Sequence, residues 1–423
     1  MSTPATDRHR WSPPVPTSAG RWWPWAYAAA LTWWAASWNL RNSVLMSWSP
    51  VEPVWIGSGL LVLCVVHRLG RPVVLPPGVV VPLALLVAAF VPGAMLSDAD
   101  GYGPTKVAAL AVSLLPALLA AVLLLDHERV RTSWVWSQVV VGLAVALAAV
   151  MTADAADLVL VGGRLTLPTV DTISTGRLVG AAVVPLLVLG LASARLRWVA
   201  WLVAVAAGAV LVQVGSRGPL LAAVVSLVVV ICAARCFTGR RAWPLAMVAL
   251  ASAAAYVFAL RGGGAGGRRI VDSVQGGLGD ETRADLVGEA VGLGLRRLFG
   301  VGWGDFARHS EAGRAIANED GAAYAHNVFA EAFAEGGVLA LLGVVMLVVL
   351  ALVRLRRVSH APAGAAALGI AVYWLLNAQV SSDVVGNRFL WIALVGGLVA
   401  SVSHFATDRA GQRPVVSEAS TDA

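Results

Sequence analysis

The sequence predicts an all-α protein that crosses a membrane many times. Three observations predict it. Of 423 residues, 58% are hydrophobic and only 13% are charged, where a soluble globule carries about 25% charged residues. The mean hydropathy is +0.76. Apolar runs such as Val79 to Leu96, Val107 to Leu125 and Gly337 to Val353 are long enough to cross about 30 Å of hydrocarbon as helices. A transmembrane β-barrel would show short segments of alternating hydrophobicity, and this chain has none.

The pattern divides the chain into five stretches. Residues 1–24 open polar, with Arg8, Arg10, Arg21 and several prolines. They lack a small-residue cleavage site behind an apolar core, so they read as a cytoplasmic tail and not as a removable signal. Residues 25–260 hold nine spans: Trp25–Trp38, Val54–Val66, Val79–Leu96, Val107–Leu125, Trp134–Met151, Leu178–Ala194, Trp198–Val214, Pro219–Ala234 and Ala242–Leu260. The first two are short for a span. Residues 261–336 form a large loop, and its Gly-rich start, Gly262–Gly267, reads as flexible. Residues 337–404 hold three more spans, Gly337–Val353, Ala363–Ala378 and Phe389–His404, and residues 405–423 form a second polar tail. Trp22, Trp23, Trp25, Trp134, Trp136 and Trp198 crowd the span ends as an interfacial belt. Cys64, Cys232 and Cys236 fall in apolar runs and define no disulfide framework; thiols there read as packing.

Orientation follows from where the cations lie. With the N-terminus cytoplasmic, the inner segments hold 17 of the Arg and Lys residues and the short outer loops hold 6, including Lys106. The long loop holds the other 8, and long loops weigh little in this rule. Both tails are therefore expected in the cytoplasm, with the loop of 261–336 outside. The cations are 30 Arg and one Lys, scattered in short loops, which does not suggest nucleic acid as a partner.

On this topology the outer face collects Arg177, Arg217, Arg283, His326, Asn327 and Arg388. The turn between Val214 and Pro219 is so short that Arg217 must sit at membrane depth. Its forked donors match phosphate oxygens. Spacing alone leaves two readings open, a clamp for a lipid-linked diphosphate or an Arg that snorkels to headgroups. An imidazole titrates near neutral pH and can take a proton from a hydroxyl. For His326, spacing alone favours the plainer reading of an interfacial helix cap. Asn327, Glu331 and Glu335 follow on one stripe of an amphipathic turn. Asp98 and Asp100 have the Asp-x-Asp spacing of a metal site, but a solvated acidic loop explains them more simply. Gly300, Gly302 and Gly304 lie in no phosphate-loop motif and read as a tight turn. No Asp or Glu lies in the middle of a span, which disfavours ion-coupled transport.

Four segments carry a resemblance to a known family: the Arg177 segment TISTGRLVG, VGSRGPLLAAVVSLVVV, the run from Arg283 through LFGVGWGDF to AHNVFAEAFAEGGVLALLGVV, and DVVGNRFLWIALVGGL. In this order they resemble the O-antigen ligase and O-antigen polymerase superfamily of bacterial membrane glycosyltransferases. The resemblance covers spans six to twelve. It implies a GT-C-type helical fold of about twelve spans with its large extracytoplasmic loop between the ninth and tenth. It implies an undecaprenyl-diphosphate-linked glycan donor, transfer to an acceptor hydroxyl with inversion, and no metal or other cofactor. Arg217, with Arg177 and Arg283, would hold the diphosphate. His326 would be the base for the acceptor hydroxyl, with Asn327 and Arg388 among the substrate-binding groups. The expected partners are that donor, a glycan, lipid or cell-wall acceptor, and the lipid bilayer of the cytoplasmic membrane. The sequence does not separate a ligase from a polymerase. Two other classes compete, a glycan or lipid flippase without catalysis and a non-catalytic scaffold. Either would tolerate loss of His326.

Overall fold

The computed structural model describes residues 22–47, 49–71, 75–153, 163–237, 242–262, 264–276 and 281–400. The two expected tails, apart from residues 22–24, and the last residues of the twelfth expected span lie outside these. Among the described residues there is no strand.

Each of the twelve apolar runs is a helix. They are α1 (Trp23–Leu40), α2 (Pro53–Leu69), α3 (Pro77–Leu96), α4 (Tyr102–Leu124), α5 (Glu128–Met151), α6 (Thr172–Ala192), α7 (Arg197–Val214), α8 (Arg217–Ala233) and α9 (Ala242–Gly262). Four helices occupy the expected loop: α10 (Gly264–Gly276), α11 (Glu281–Arg296), α12 (Phe306–His309) and α13 (Glu311–Ile316). The chain then continues through α14 (Val328–Val358), α15 (Pro362–Asn377) and α16 (Arg388–Ala400). Among the described residues, seven helices are long and apolar enough to cross a membrane: α3, α4, α5, α6, α7, α9 and α14. Helices α2, α8, α15 and α16 are shorter apolar helices. Side chains such as Val112, Trp198 and Leu202 are more than 70% exposed. Apolar side chains this bare face lipid, which makes the chain a multi-pass membrane protein.

Helix α6 is the axis of the bundle. Its apolar window is 89% buried, against 17% for α9 at the lipid face. Small residues permit that burial by letting backbones approach. A Cβ added at Gly142 of α5 would meet Ala182 of α6 at 2.8 Å, and one at Gly369 of α15 would meet Val184 at 3.1 Å.

The sequence pattern misplaced some residues. Lys106, counted as an outer-loop cation, lies inside α4 and is wholly buried. Glu331 and Glu335, expected on an amphipathic turn, are buried as well. Both face Lys106, with Nζ 2.5 Å from Glu331 Oε1 and 2.5 Å from Glu335 Oε2. Charges at such depth must pair, and this spacing serves pairing across two helices. Of the Gly-rich start of the loop, Gly262 ends α9 and Gly264–Gly267 form the first turn of α10. Cys232 is exposed, and Cys236 lies beyond the end of α8 in a short turn. Gly337, the expected start of the tenth span, does mark a break: at φ 75° and ψ −171° it kinks α14.

The two ends of the bundle differ in chemistry. At one end arginines tie helix ends together. Arg68 pairs with Asp126, Arg354 donates to the carbonyls of Gly78 and Leu398, and Arg356 donates to Ala233. The other end gathers the interhelical segments that carry the candidate site. There the Thr169 hydroxyl donates to the Asn42 carbonyl, and the Ser97 hydroxyl bonds the Trp303 carbonyl at 3.0 Å.

Candidate functional site

Arg217 is placed by a two-residue turn. Gly215, in the left-handed region at φ 66°, closes α7, and Arg217 opens α8 after Ser216. A left-handed C-cap is the usual place for glycine. Arg217 lines a polar cleft of about 210 Å³ with Arg164, Arg269, Arg283, Ser216 and Thr172. Four arginines meet there.

One strand of backbone assembles this group. The Gln213 carbonyl accepts from the Leu165 N–H at 3.2 Å, which brings in Arg164. Helix α10 lies against the same residues through Gly266. A Cβ added there would meet the Gln213 carbonyl carbon at 2.7 Å and the Gly215 nitrogen at 3.0 Å. That close approach brings in Arg269, and Arg283 comes from the first turn of α11. Arg164 also donates to Thr172 Oγ1 at 3.1 Å. Burial, and then the like charge of Arg269, pushes the Arg164 guanidinium below its usual range. Like charges brought this close repel each other, and an anion bound among them relieves that repulsion. Guanidinium forks suit phosphate oxygens.

His326 sits at the next helix start but does not cap it. Asn327 is the cap, accepting from Phe329 N at 3.1 Å and Ala330 N at 3.0 Å. His326 is half-buried, its ring edge-on to Tyr324 with centroids 4.6 Å apart. Its φ of 53° is left-handed, which is uncommon for a residue with a Cβ and tends to mark functional sites. The strain is held by neighbours. Val328 N donates to the Ala378 carbonyl at 2.9 Å, and Asn327 Nδ2 to the Gln379 carbonyl at 3.5 Å.

Residues 378–388 therefore form a hub. Val380 and Ser381 line the arginine cleft. Val384 N donates to Glu331 Oε1 at 3.0 Å, which joins the hub to the buried Lys106 pair. Asn387 Oδ1 accepts from Arg177 at 2.7 Å. Arg177 is buried, stacked on Trp374, with its carbonyl accepting from the Tyr373 hydroxyl at 2.9 Å. Arg388 lines a different cleft, beside Trp34 and Trp38.

Residues 202–345 match the family described as O-antigen ligase. That match supports an O-antigen ligase or polymerase family assignment. No curated protein and no solved structure matches the chain. The O-antigen ligase match supports a membrane glycan-transfer function, and it spans Arg217, Arg269, Arg283, His326 and Asn327.

Of the expected residues, Arg217 and Arg283 come together in one cleft. His326 and Asn327 border it through residues 378–381 without lining it. Arg177 lies behind the hub, and Arg388 opens onto the second cleft. Arg164 and Arg269 were missed. For Arg269 the signal was the glycine run beside it, which marks close helix approach as well as flexibility. Nothing in the spacing pointed to Arg164. Asp98 is engaged by the Arg308 guanidinium, and its N–H donates to Asp305 Oδ2 at 2.8 Å. Burial, and then the Asp98 charge, pushes the Asp305 carboxyl up, against that hydrogen bond. Among the described residues, no three metal-ligating side chains converge.

Proposed function

We propose that the protein is a membrane glycosyltransferase that moves a glycan from an undecaprenyl-diphosphate carrier to an acceptor hydroxyl. The observation that carries this reading is the meeting of Arg164, Arg217, Arg269 and Arg283 in one cleft, beside the strained His326. The acceptor oxygen attacks the anomeric carbon from the face opposite the diphosphate, and the bond to the diphosphate oxygen breaks with inversion. His326 takes the hydroxyl proton. Arg217 and Arg283, with Arg164 and Arg269, meet the charge that develops on the leaving group, which is where fixed cations act most strongly. A diphosphate leaves without a general acid, and on this reading the arginines supply the charge neutralisation that a metal ion would otherwise give.

The polyprenyl chain has a place beside the cleft. Val212 and Leu220 flank the Arg217 turn and line an apolar groove of about 460 Å³ among α6, α7, α8 and α9. We place the cleft on the outer face of the cytoplasmic membrane, with both termini inside, twelve spans and α10 to α13 extracytoplasmic. The arginines that tie helix ends at the opposite end support that orientation.

The test is reconstitution of the full chain with a polyprenyl-diphosphate glycan and candidate acceptors, following release of polyprenyl diphosphate. Arg217→Ala is expected to lower release about 10²- to 10³-fold. Release at the native rate by Arg217→Ala would remove the diphosphate clamp, and no release with any acceptor would remove the enzyme reading.

A further inference from the structure

Helix α11 changes character along its exposed face. Its first turns expose Glu281, Thr282 and Asp285, as a helix in water does. Its last turn and the residues just after it expose Leu295, Leu298 and Phe299, with Leu295 70% and Phe299 58% exposed. Val291 and Leu295 are i, i+4 neighbours on one stripe, and both are exposed. Arg296 and Arg297 stand exposed among these apolar groups. The opposite side is packed. Leu293 and Gly294 are buried, and a Cβ added at Gly294 would run into the Phe333 ring of α14. The segment is held firmly on one side and bare on the other.

The kink in α14 fixes what lies on the bare side. The break at Gly337 separates the Val338 N–H from the Ala334 carbonyl, its usual i−4 partner. Backbone groups left this way must find other partners. The Leu298 carbonyl accepts from Val338 N at 2.8 Å, and the Ala334 carbonyl accepts from Val301 N at 2.9 Å. Residues 298–301 are thereby plugged into the point where the apolar run of α14 begins. From there α14 exposes Leu339 and Leu342, on a helix long and apolar enough to cross a membrane. The end of α3 reaches the same point, where a Cβ added at Gly93 would meet Gly336 Cα at 2.9 Å, and it exposes Met95 and Leu96. Leu298 and Phe299 therefore extend a lipid-facing surface at its edge. Apolar side chains at that edge enter the acyl boundary, while neighbouring guanidiniums stay among the headgroup phosphates.

We infer that residues 291–299 are a membrane anchor that holds the end of α11 in the bilayer interface through anionic phospholipid headgroups, and that this anchor fixes Arg283 at the arginine cleft. Arg283 lies in the first turn of the same helix, about 20 Å along the axis from Arg296. One helix thus has an end that grips lipid and an end that lines the cleft. The occupant of the anchor is bulk anionic lipid of the leaflet, since none of residues 291–299 lines the arginine cleft or the apolar groove beside it. The anchor follows from geometry alone, and its link to the donor rests on the glycan-transfer reading.

The experiment measures depth, charge preference and donor binding in turn. The full chain, with Cys64, Cys232 and Cys236 replaced by Ala, carries one new cysteine, Phe299→Cys or the water-facing control Ala284→Cys. Each is labelled with a nitrobenzoxadiazole dye and placed in nanodiscs, one chain to a disc. Phosphatidylcholine brominated near the headgroup end of its acyl chains should quench the dye at 299 and leave the dye at 284 bright. An unquenched dye at 299 would overturn the proposal, because water or protein would then cover the segment. Brominated phosphatidylglycerol should quench the dye at 299 at a lower mole fraction than brominated phosphatidylcholine, by about fivefold for each arginine. Arg296→Gln with Arg297→Gln should remove that preference, and both side chains are exposed, so their replacement leaves the fold intact. Equal quenching by the two lipids in the native chain, or a preference that survives the double substitution, would also overturn the proposal. The same double substitution, in discs of fixed phosphatidylglycerol content, should raise the KM for the donor about fivefold. An unchanged KM would overturn the link to the cleft. Quenching as expected in a protein that releases no polyprenyl diphosphate in any lipid would refute the transfer reading and leave the anchor standing.

Discussion

Replacing Lys106 with Met tests how the buried end of α14 is held. Lys106 is wholly buried, with Nζ 2.5 Å from one oxygen of each of two buried carboxylates. At an effective dielectric of about 20, a unit pair at that distance attracts with about 7 kcal/mol before desolvation. Desolvating three ions, and repulsion between the two carboxylates, offset most of that gain. The asymmetry decides the outcome. Lys106→Met leaves two carboxylates facing each other without a cation, which costs about 3–5 kcal/mol. Replacing all three with Met, Leu and Leu removes the charges together and should recover most of the loss. The partners also differ. Glu331 accepts from Val384 N at 3.0 Å, while no such link to the hub is made by Glu335 among the described residues. Glu331→Leu should therefore lower transfer beyond its effect on stability, and Glu335→Leu should lower stability alone. Thermal midpoints in detergent, read beside polyprenyl diphosphate release, separate the two effects. A Lys106→Met midpoint equal to wild type, or a triple variant no better than the single one, would refute the reasoning.

Three other outcomes are expected. Gly266→Ala puts a Cβ against the Gln213–Gly215 backbone, which should cost about 1–3 kcal/mol as overpacking does and draw Arg269 from the cleft; an unchanged KM for the donor would show that α10 does not shape the cleft. His326→Asn keeps a side chain that tolerates the left-handed backbone, so the thermal midpoint should hold while turnover falls about 10²- to 10⁴-fold; a loss of both together would make His326 a structural residue. Glu289 is held below the ordinary carboxylate range of 4.5, first by the Ser310 hydroxyl at 2.5 Å and then by backbone N–H groups of the next turn, against some burial. Its contribution is therefore present above pH 4.5 and is lost as pH falls through the lower folded value. Partial exposure limits it to about 1 kcal/mol. Limited proteolysis within α12 and α13 should speed up on acidification in wild type, and Glu289→Gln should be fast and flat with pH; parallel pH profiles would remove the link.

Much of the fold was legible because lipid imposes simple rules on a chain. Apolar runs had to be helices, and each of the twelve is one. Arg217 was legible because the turn between Val214 and Pro219 leaves a side chain no other place. Gly337 was legible as a boundary because apolar periodicity begins there, and the backbone does break at it. Lys106 was not. Its partners lie 225 and 229 residues away, and no periodicity tells which distant helix will face a lone cation. Arg164 and Arg269 were hidden for a related reason. They look like loop residues, and what selects them is one carbonyl, that of Gln213, to which their segments attach. The cleft of Arg388 depends on Trp34 and Trp38 at the far end of the sequence.

That pattern bears on what a site residue is in this protein. The family resemblance puts Arg177 among the diphosphate-binding groups; its guanidinium is buried, 2.7 Å from Asn387 and stacked on Trp374. It lines neither cleft. Glu331, one turn beyond Asn327, also lines neither, but it holds the same hub from the other side through Val384. The hub is thus pinned at two points by buried charges, and it presents Ser381 to one cleft and Arg388 to the other. His326 is tied to the same hub through Asn327 and Val328. Arg177 and Glu331 are positioning residues on this geometry. Their loss should lower the thermal midpoint and polyprenyl diphosphate release together, whereas loss of Arg217 should lower release and leave the midpoint unchanged.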